Sequence, residues 1–74
     1  MDYFEIYKMI WEFHKRYIDK ITDDDSFWET VIHEGNDLCK KYNDCKFVRA
    51  LVLAELDEFE RLAKEMKQDA DRRV

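Results

Sequence analysis

The feature of this sequence that most restricts its fold is the near absence of proline and glycine. Its 74 residues contain no proline and a single glycine, Gly35. Because β-hairpins and tight turns depend on these two residue types, the chain has little from which to build the connections of an all-β or a βαβ fold. The sequence therefore predicts an all-α protein.

Apolar residues recur at intervals of three and four in three successive segments, which is typical of amphipathic helices. We predict helices over about residues 2–21, 26–42 and 45–67, which form one domain, 1–67. The expected architecture is a three-helix antiparallel (up-down-up) bundle. Residues 68–74 carry no apolar stripe and are predicted to fray.

Polar residues between these segments predict the helix ends. Ser26 followed by Glu29 has the spacing of a capping box at the start of the second helix, and Asn43 or Asp44 is a candidate cap for the third. The predicted core consists of the apolar residues on the facing stripes. These are Tyr7, Ile10, Phe13, Tyr17, Trp28, Val31, Ile32, Leu38, Val52, Leu56, Phe59 and Leu62.

Gly35 falls on the apolar stripe of the second helix and not at a helix end. In a helix interior glycine costs about 1 kcal/mol relative to alanine. We therefore expect a neighbouring helix or a bulky ring, such as Trp11 or Phe59, to approach closely where a side chain would otherwise be.

Charge and composition exclude several classes of protein. Thirteen basic and 18 acidic residues give a formal net charge of −5, which repels phosphate backbones at long range. The basic cluster of Lys40, Lys41, Lys46 and Arg49 is the exception, although lysines are expected at a helix C-terminus in any case. We expect no nucleic-acid binding. No segment is apolar enough to span a membrane, and two cysteines without a secretory signal predict reduced thiols in the cytoplasm.

The segment "HEGND" concentrates groups that could bind a metal. His33 and Asp37 stand four residues apart, and Glu29 lies one turn earlier, but the second histidine of a zinc metalloprotease motif is missing. Cys39 and Cys45 are also too far apart for a C-x-x-C motif. The favoured interpretation is a solvated helix face and two small apolar side chains. Neither these residues nor His14 receives a role from the sequence.

Two acidic pairs suggest an alternative function. Glu34 and Asp37 form an E-x-x-D pair on the second helix, and Glu55 and Glu58 form an E-x-x-E pair on the third. Two facing helices could present these four carboxylates to Mg²⁺. This pattern resembles the all-α nucleoside triphosphate pyrophosphatases of the MazG type. The resemblance implies a small magnesium-dependent hydrolase.

A second resemblance covers most of the chain. The string "WETVIHEGNDLCKKYNDCKFVRALVLAELDEFER" is similar to short uncharacterised helical proteins of prophages and mobile elements of Gram-positive bacteria. The resemblance implies an accessory protein and brings no catalytic motif.

The first helix carries more apolar residues than one small core can cover. Phe4, Trp11 and Ile18 form a second stripe at heptad spacing beside the core stripe. The favoured function is therefore a non-enzymatic helical interaction protein without cofactor or catalytic residues. We expect a twofold homodimer with these three residues at its interface, or binding of another protein to the same face.

Overall fold

Three helices make up the fold, as a computed structural model shows. The structure describes the backbone of residues 2–72 and the side chains of residues 2–67. Helix α1 spans Tyr3–Ile18, α2 spans Asp25–Lys41 and α3 spans Lys46–Arg72. No strand occurs between residues 2 and 72, which confirms the all-α fold class.

The observed helix bounds differ from the predicted ones mainly at the end of α1 and at the end of α3. Helix α1 ends at Ile18 and not near residue 21, because the chain turns at Asp19 and Lys20, and the Lys20 N–H bonds the Tyr17 carbonyl. Helix α3 continues to Arg72 and so extends past the predicted end at residue 67. Of the segment predicted to fray, residues 73 and 74 lie outside the described residues.

Aspartates occupy the N-cap positions of the first two helices, although only the side chain of Asp2 makes a capping hydrogen bond. The Asp2 carboxylate accepts a hydrogen bond of 3.1 Å from the N–H of Glu5 at the start of α1. The capping box predicted for Ser26 is wrong, since α2 begins at Asp25 with Asp24 as its N-cap. Ser26 lies within the helix, and its carbonyl accepts a bond from the Thr30 hydroxyl. A run of three aspartates gives the helix an earlier acceptable start.

The turn between α2 and α3 contains two consecutive residues in the left-handed region, Asn43 with φ 57° and Asp44 with φ 56°. The Asp44 N–H donates to the Cys39 carbonyl at 2.8 Å, so the turn closes the end of α2. The prediction that Asn43 or Asp44 caps α3 is therefore wrong. The helix begins at Lys46, and the Arg49 N–H bonds the Cys45 carbonyl.

The core consists of two clusters of buried side chains, which share the half-buried neighbours Leu38 and Leu56. One cluster, near the α2–α3 turn, contains Ile6, Ile10, Cys39, Val48 and Val52. The other, near the α1–α2 turn, contains Phe13, Tyr17, Ile21, Val31 and Phe59. Every helix contributes to this interior, as an amphipathic three-helix fold requires.

Six of the predicted core residues are buried: Ile10, Phe13, Tyr17, Val31, Val52 and Phe59. Two were wrongly placed there, since Tyr7 is 55% and Ile32 46% exposed. Tyr7 follows Ile6 by one position, or about 100° around the helix, so only one of the two can point into the core. Ile6 does so and is fully buried. Ile32 stands in the same relation to Val31, which is also fully buried.

Gly35 lies where the three helices meet. A Cβ atom on this residue would lie 2.9 Å from Val52 Cγ1, 3.9 Å from Phe13 Cζ and 4.0 Å from Leu56 Cδ1. The expected close approach is thus present, but Val52 of α3 makes it, and not Trp11 or Phe59. The missing side chain allows α3 to pack directly against the α2 backbone.

Candidate interaction surface

A group of aromatic side chains on α1 remains in contact with solvent. Phe4 is 77%, Tyr3 57%, Trp11 57% and Tyr7 55% exposed. We call these four residues the aromatic face. Large apolar side chains that are clustered and exposed mark interaction surfaces more often than isolated ones do.

The aromatic face exists because α1 is apolar on more than one side. Its core side carries Ile6, Ile10, Phe13 and Tyr17, which are all buried. These four residues follow one another at intervals of four, three and four, and so occupy a single stripe. The aromatic residues fall outside that stripe, where α2 and α3 leave more than half of the surface of each residue exposed.

Phe47 at the start of α3 supports one edge of the aromatic face. The rings of Tyr3 and Tyr7 both meet the Phe47 ring edge to face, with centroid distances of 5.2 and 5.8 Å. Edge-to-face contacts of this kind contribute about 0.5 to 1.5 kcal/mol beyond their buried area. Tyr3 and Tyr7 are therefore held in place although they are exposed.

Trp11 lies between a stacked ring and a cation. Its indole stacks on the His14 imidazole with a centroid distance of 5.5 Å and an angle of 13° between the ring planes. Lys15 Nζ lies 5.7 Å from the centroid of the Trp11 ring, within cation–π range. These neighbours orient the indole and leave more than half of its surface exposed.

His14 connects the aromatic face to α3. Its Nδ1 lies 2.7 Å from Glu55 Oε2, and its ring lies 5.8 Å from the buried Phe59 ring. The pair is partly shielded from water, since the His14 and Glu55 side chains are 25% and 20% exposed. Sequence reasoning missed this pair because 41 positions separate the two residues.

The three residues predicted for the interface occupy different environments. Phe4 and Trp11 are exposed members of the aromatic face. Ile18 is half-buried and packs against the core cluster near the α1–α2 turn. Tyr7 and Phe47 belong to the surface although the sequence did not single them out for it. The i, i+4 spacing of Tyr3 and Tyr7 on α1 was the available signal.

The four carboxylates of the hydrolase interpretation each face another partner. Glu34 contacts the Arg16 guanidinium and accepts a hydrogen bond from the Tyr17 hydroxyl. Glu55 pairs with His14. Asp37 Oδ2 lies 3.4 Å from His33 Nε2 on the exposed side of α2.

Glu58, the fourth carboxylate, forms two hydrogen bonds of 2.7 Å with the Arg61 guanidinium. The Arg61 guanidinium lowers the pKa of the Glu58 carboxyl below its ordinary value. Among the described residues, no group of three or more histidine, cysteine, aspartate or glutamate side chains is placed to hold a metal ion. The magnesium-dependent hydrolase stays a prediction from the sequence.

The two thiols are free and differ in their surroundings. Cys39 is buried in the core cluster near the α2–α3 turn, and burial raises the pKa of its thiol. Cys45 is half-buried beside the same cluster. Both thus act as small apolar side chains. The basic residues around this turn are all exposed: Lys40, Lys41, Lys46 and Arg49.

A shallow cleft of about 360 Å³ lies between the first turns of α2 and the second half of α3. Trp28, Ile32 and Ala63 supply its apolar walls. Two acidic and two basic residues share the rim: Asp23, Glu60, Lys64 and Lys67. Lys64 Nζ is already paired with Glu60 at 3.2 Å. The rim therefore offers no net charge to attract a charged ligand.

Comparison with protein-family models, curated proteins and solved structures finds no match for this chain. Within the part of the chain that the structure describes, no helix combines the length and apolar character needed to cross a membrane. The aromatic face of α1 is the surface that most calls for an explanation.

Proposed function

We propose that this protein is a small helical interaction protein, without catalytic activity, that associates through the aromatic face of α1. The supporting observation is the exposure of Phe4, Tyr7 and Trp11 on a helix whose adjacent side fills the core. The centres of protein interfaces are enriched in aromatic residues of this kind. Covering them would remove their apolar surface from water.

The proposed partner is a second copy of the chain in a twofold homodimer. Closed twofold symmetry is the commonest arrangement of soluble oligomers, and it allows one aromatic face to cover another. Each Trp11 can then lie near the symmetry axis, where burial is most complete. Phe4 and Ile18 lie towards opposite ends of α1 and would mark the outer parts of the interface.

The proposed arrangement of the helices is an antiparallel up-down-up bundle. Contacts between the ends of helices support it. Tyr3 at the start of α1 meets Phe47 at the start of α3, which suits two helices that point the same way. Short turns join α2 to both of its neighbours in sequence, which favours antiparallel packing. The aromatic face then runs along one side of the bundle.

We further propose a cytoplasmic, accessory role. Two free cysteines, one of them half-buried, suit a reducing compartment. The accessory role is the one implied by the resemblance to helical proteins of mobile elements, and it requires no active site.

Sedimentation equilibrium over a wide concentration range tests the association. We expect the wild-type protein to be dimeric at high micromolar concentration and the double variant Phe4→Ala, Trp11→Ala to be monomeric. Leu53→Ala is the matched control, because Leu53 is 55% exposed but lies on α3, outside the aromatic face. Circular dichroism should show the same helix content for all three proteins.

Two results would contradict the proposal. A wild-type protein that stays monomeric throughout the range excludes the homodimer. A dimer that persists in the double variant shows that the interface is not on the aromatic face, and its loss in Leu53→Ala would then place the interface on α3.

A further inference from the structure

A row of charged residues of alternating sign runs along α1 beside the aromatic face. Glu5, Lys8, Glu12 and Lys15 follow one another at intervals of three, four and three, so they share one side of the helix. All four are exposed. Lys15 borders the aromatic face directly, since its Nζ lies over the Trp11 ring. We call these four residues the charged row.

Within the described side chains, residues 2–67, the charged row takes part in no salt bridge. Among residues 2–67, the salt bridges of the structure involve other side chains, including Arg16 with Glu34 on the neighbouring side of α1. Lys8 and Glu12 are four residues apart and still form no ion pair. These charges are therefore available to an external partner.

The order of negative and positive charges along α1 is complementary to that of a second α1 running antiparallel to it. Glu5 and Lys15 lie five residues on either side of Ile10, and Lys8 and Glu12 lie two residues on either side of it. A twofold axis at the level of Ile10 would thus place opposite charges at equal heights in both pairs. A parallel arrangement would place equal charges at equal heights, which is unfavourable.

The aromatic face alone is too small for a stable interface, so the charged row must also be buried in it. A large aromatic side chain has about 200 Å² of surface, so the exposed fractions of the aromatic face amount to roughly 500 Å² per copy. A stable interface of standard size takes about 800 Å² from each partner. The aromatic face alone falls short of that value. The adjacent side chains of the charged row can supply the difference.

We propose that a second copy binds with its α1 antiparallel to this α1, with Trp11 beside the twofold axis and the two charged rows paired. Lys8 then meets Glu12 of the second copy, and Glu5 meets its Lys15. This inference depends on the proposed self-association and adds its direction and register. The aromatic residues supply the buried area, and the charges select the antiparallel direction over the parallel one.

Reversal of single charges tests this pairing. Lys8→Glu places two acidic side chains against each other at both symmetry-related positions. We expect a dimer dissociation constant raised about tenfold by sedimentation equilibrium in low salt, a size typical for two exposed pairs turned from attraction to repulsion. The double variant Lys8→Glu, Glu12→Lys restores opposite charges and should return to the wild-type value.

Lys41→Glu is the matched control for net charge, because Lys41 is exposed at the end of α2 and does not belong to the charged row. It should leave the dissociation constant within about twofold of wild type. Added salt should weaken the wild-type dimer and reduce the difference between Lys8→Glu and wild type. Urea unfolding followed by circular dichroism checks that each variant folds.

The outcomes separate this inference from the proposed function. If Phe4→Ala, Trp11→Ala abolishes the dimer while Lys8→Glu acts no more strongly than Lys41→Glu, the aromatic face is the interface and the antiparallel pairing is wrong. Failure of the double charge variant to restore the dimer also overturns the pairing. A wild-type protein that is always monomeric overturns both.

Discussion

Gly35 of α2 lies so close to Val52 of α3 that a Cβ atom on the glycine would be 2.9 Å from Cγ1 of the valine. Real Cβ atoms almost never come this near, so any larger residue must push α3 away or change the Val52 rotamer. Valine is branched at Cβ and has little freedom to do so. The contact thus sets how closely α2 and α3 approach each other.

We predict that Gly35→Ala destabilises the protein by about 1 kcal/mol. Alanine gains about 1 kcal/mol of helix propensity, but overpacking in a core costs about 1 to 3 kcal/mol. Urea unfolding at a fixed protein concentration measures the difference. Asn36→Ala, at the exposed neighbouring position, is the control and should be neutral or stabilising. Equal stabilisation by both variants would show that the helices do not approach this closely.

The α2–α3 turn gives a second prediction. Asp44 adopts a positive φ of 56°, a conformation that glycine reaches at no steric cost and alanine reaches poorly. Asp44→Ala should lower the free energy of unfolding by about 1 kcal/mol, and Asp44→Gly should be more stable than Asp44→Ala. Thermal unfolding of this matched pair measures the difference. Equal stability of the two variants would rule out the left-handed turn.

Thiol reactivity should differ between the two cysteines. Cys39 is buried and the pKa of its thiol is raised by burial, so little thiolate forms at neutral pH. Cys45 is half-buried and should react first with a thiol reagent such as 5,5′-dithiobis(2-nitrobenzoate). Cys39→Ala should keep the fast phase and Cys45→Ser should lose it. A fast phase retained in Cys45→Ser would contradict the burial of Cys39.

Magnesium titration followed by NMR tests the hydrolase interpretation. We expect weak and scattered shifts of Glu34, Asp37, Glu55 and Glu58, because Mg²⁺ would have to displace partners such as the Arg16 guanidinium from Glu34. A zinc titration of the same sample checks whether His33 binds metal at all. Joint saturation of all four carboxylates at sub-millimolar magnesium would instead support a metal-dependent enzyme.

The helices could be predicted from the sequence, but the direction in which each one faces could not. Periodicity located all three helices because apolar residues recur every three or four positions. Tyr7 was assigned to the core in place of its neighbour Ile6, which is fully buried, and Ile32 was assigned to it beside Val31 although Ile32 is exposed. On a helix that is apolar on several sides, packing against the other helices decides between adjacent candidates, and a single sequence does not contain that information.

The candidate surface was predictable only in part. An excess of aromatic residues on α1 signalled that some would remain exposed, and Phe4 and Trp11 are exposed. The supporting contacts of Phe47 with Tyr3 and of His14 with Glu55 join residues that are distant in sequence. Such pairs depend on the relative heights of the helices, which the turns and the core determine together.

Two carboxylates restrict the rotation of α1 about its own axis. Glu34 of α2 holds Arg16 and Tyr17, and Glu55 of α3 holds His14, so three residues within one turn of α1 are tied to different helices. A helix with apolar residues on several sides can rotate about its axis and still bury much of its apolar surface. Rotation in either direction here would break one of the two attachments. These polar contacts thus act together with core packing to select which aromatic rings α1 presents to the outside.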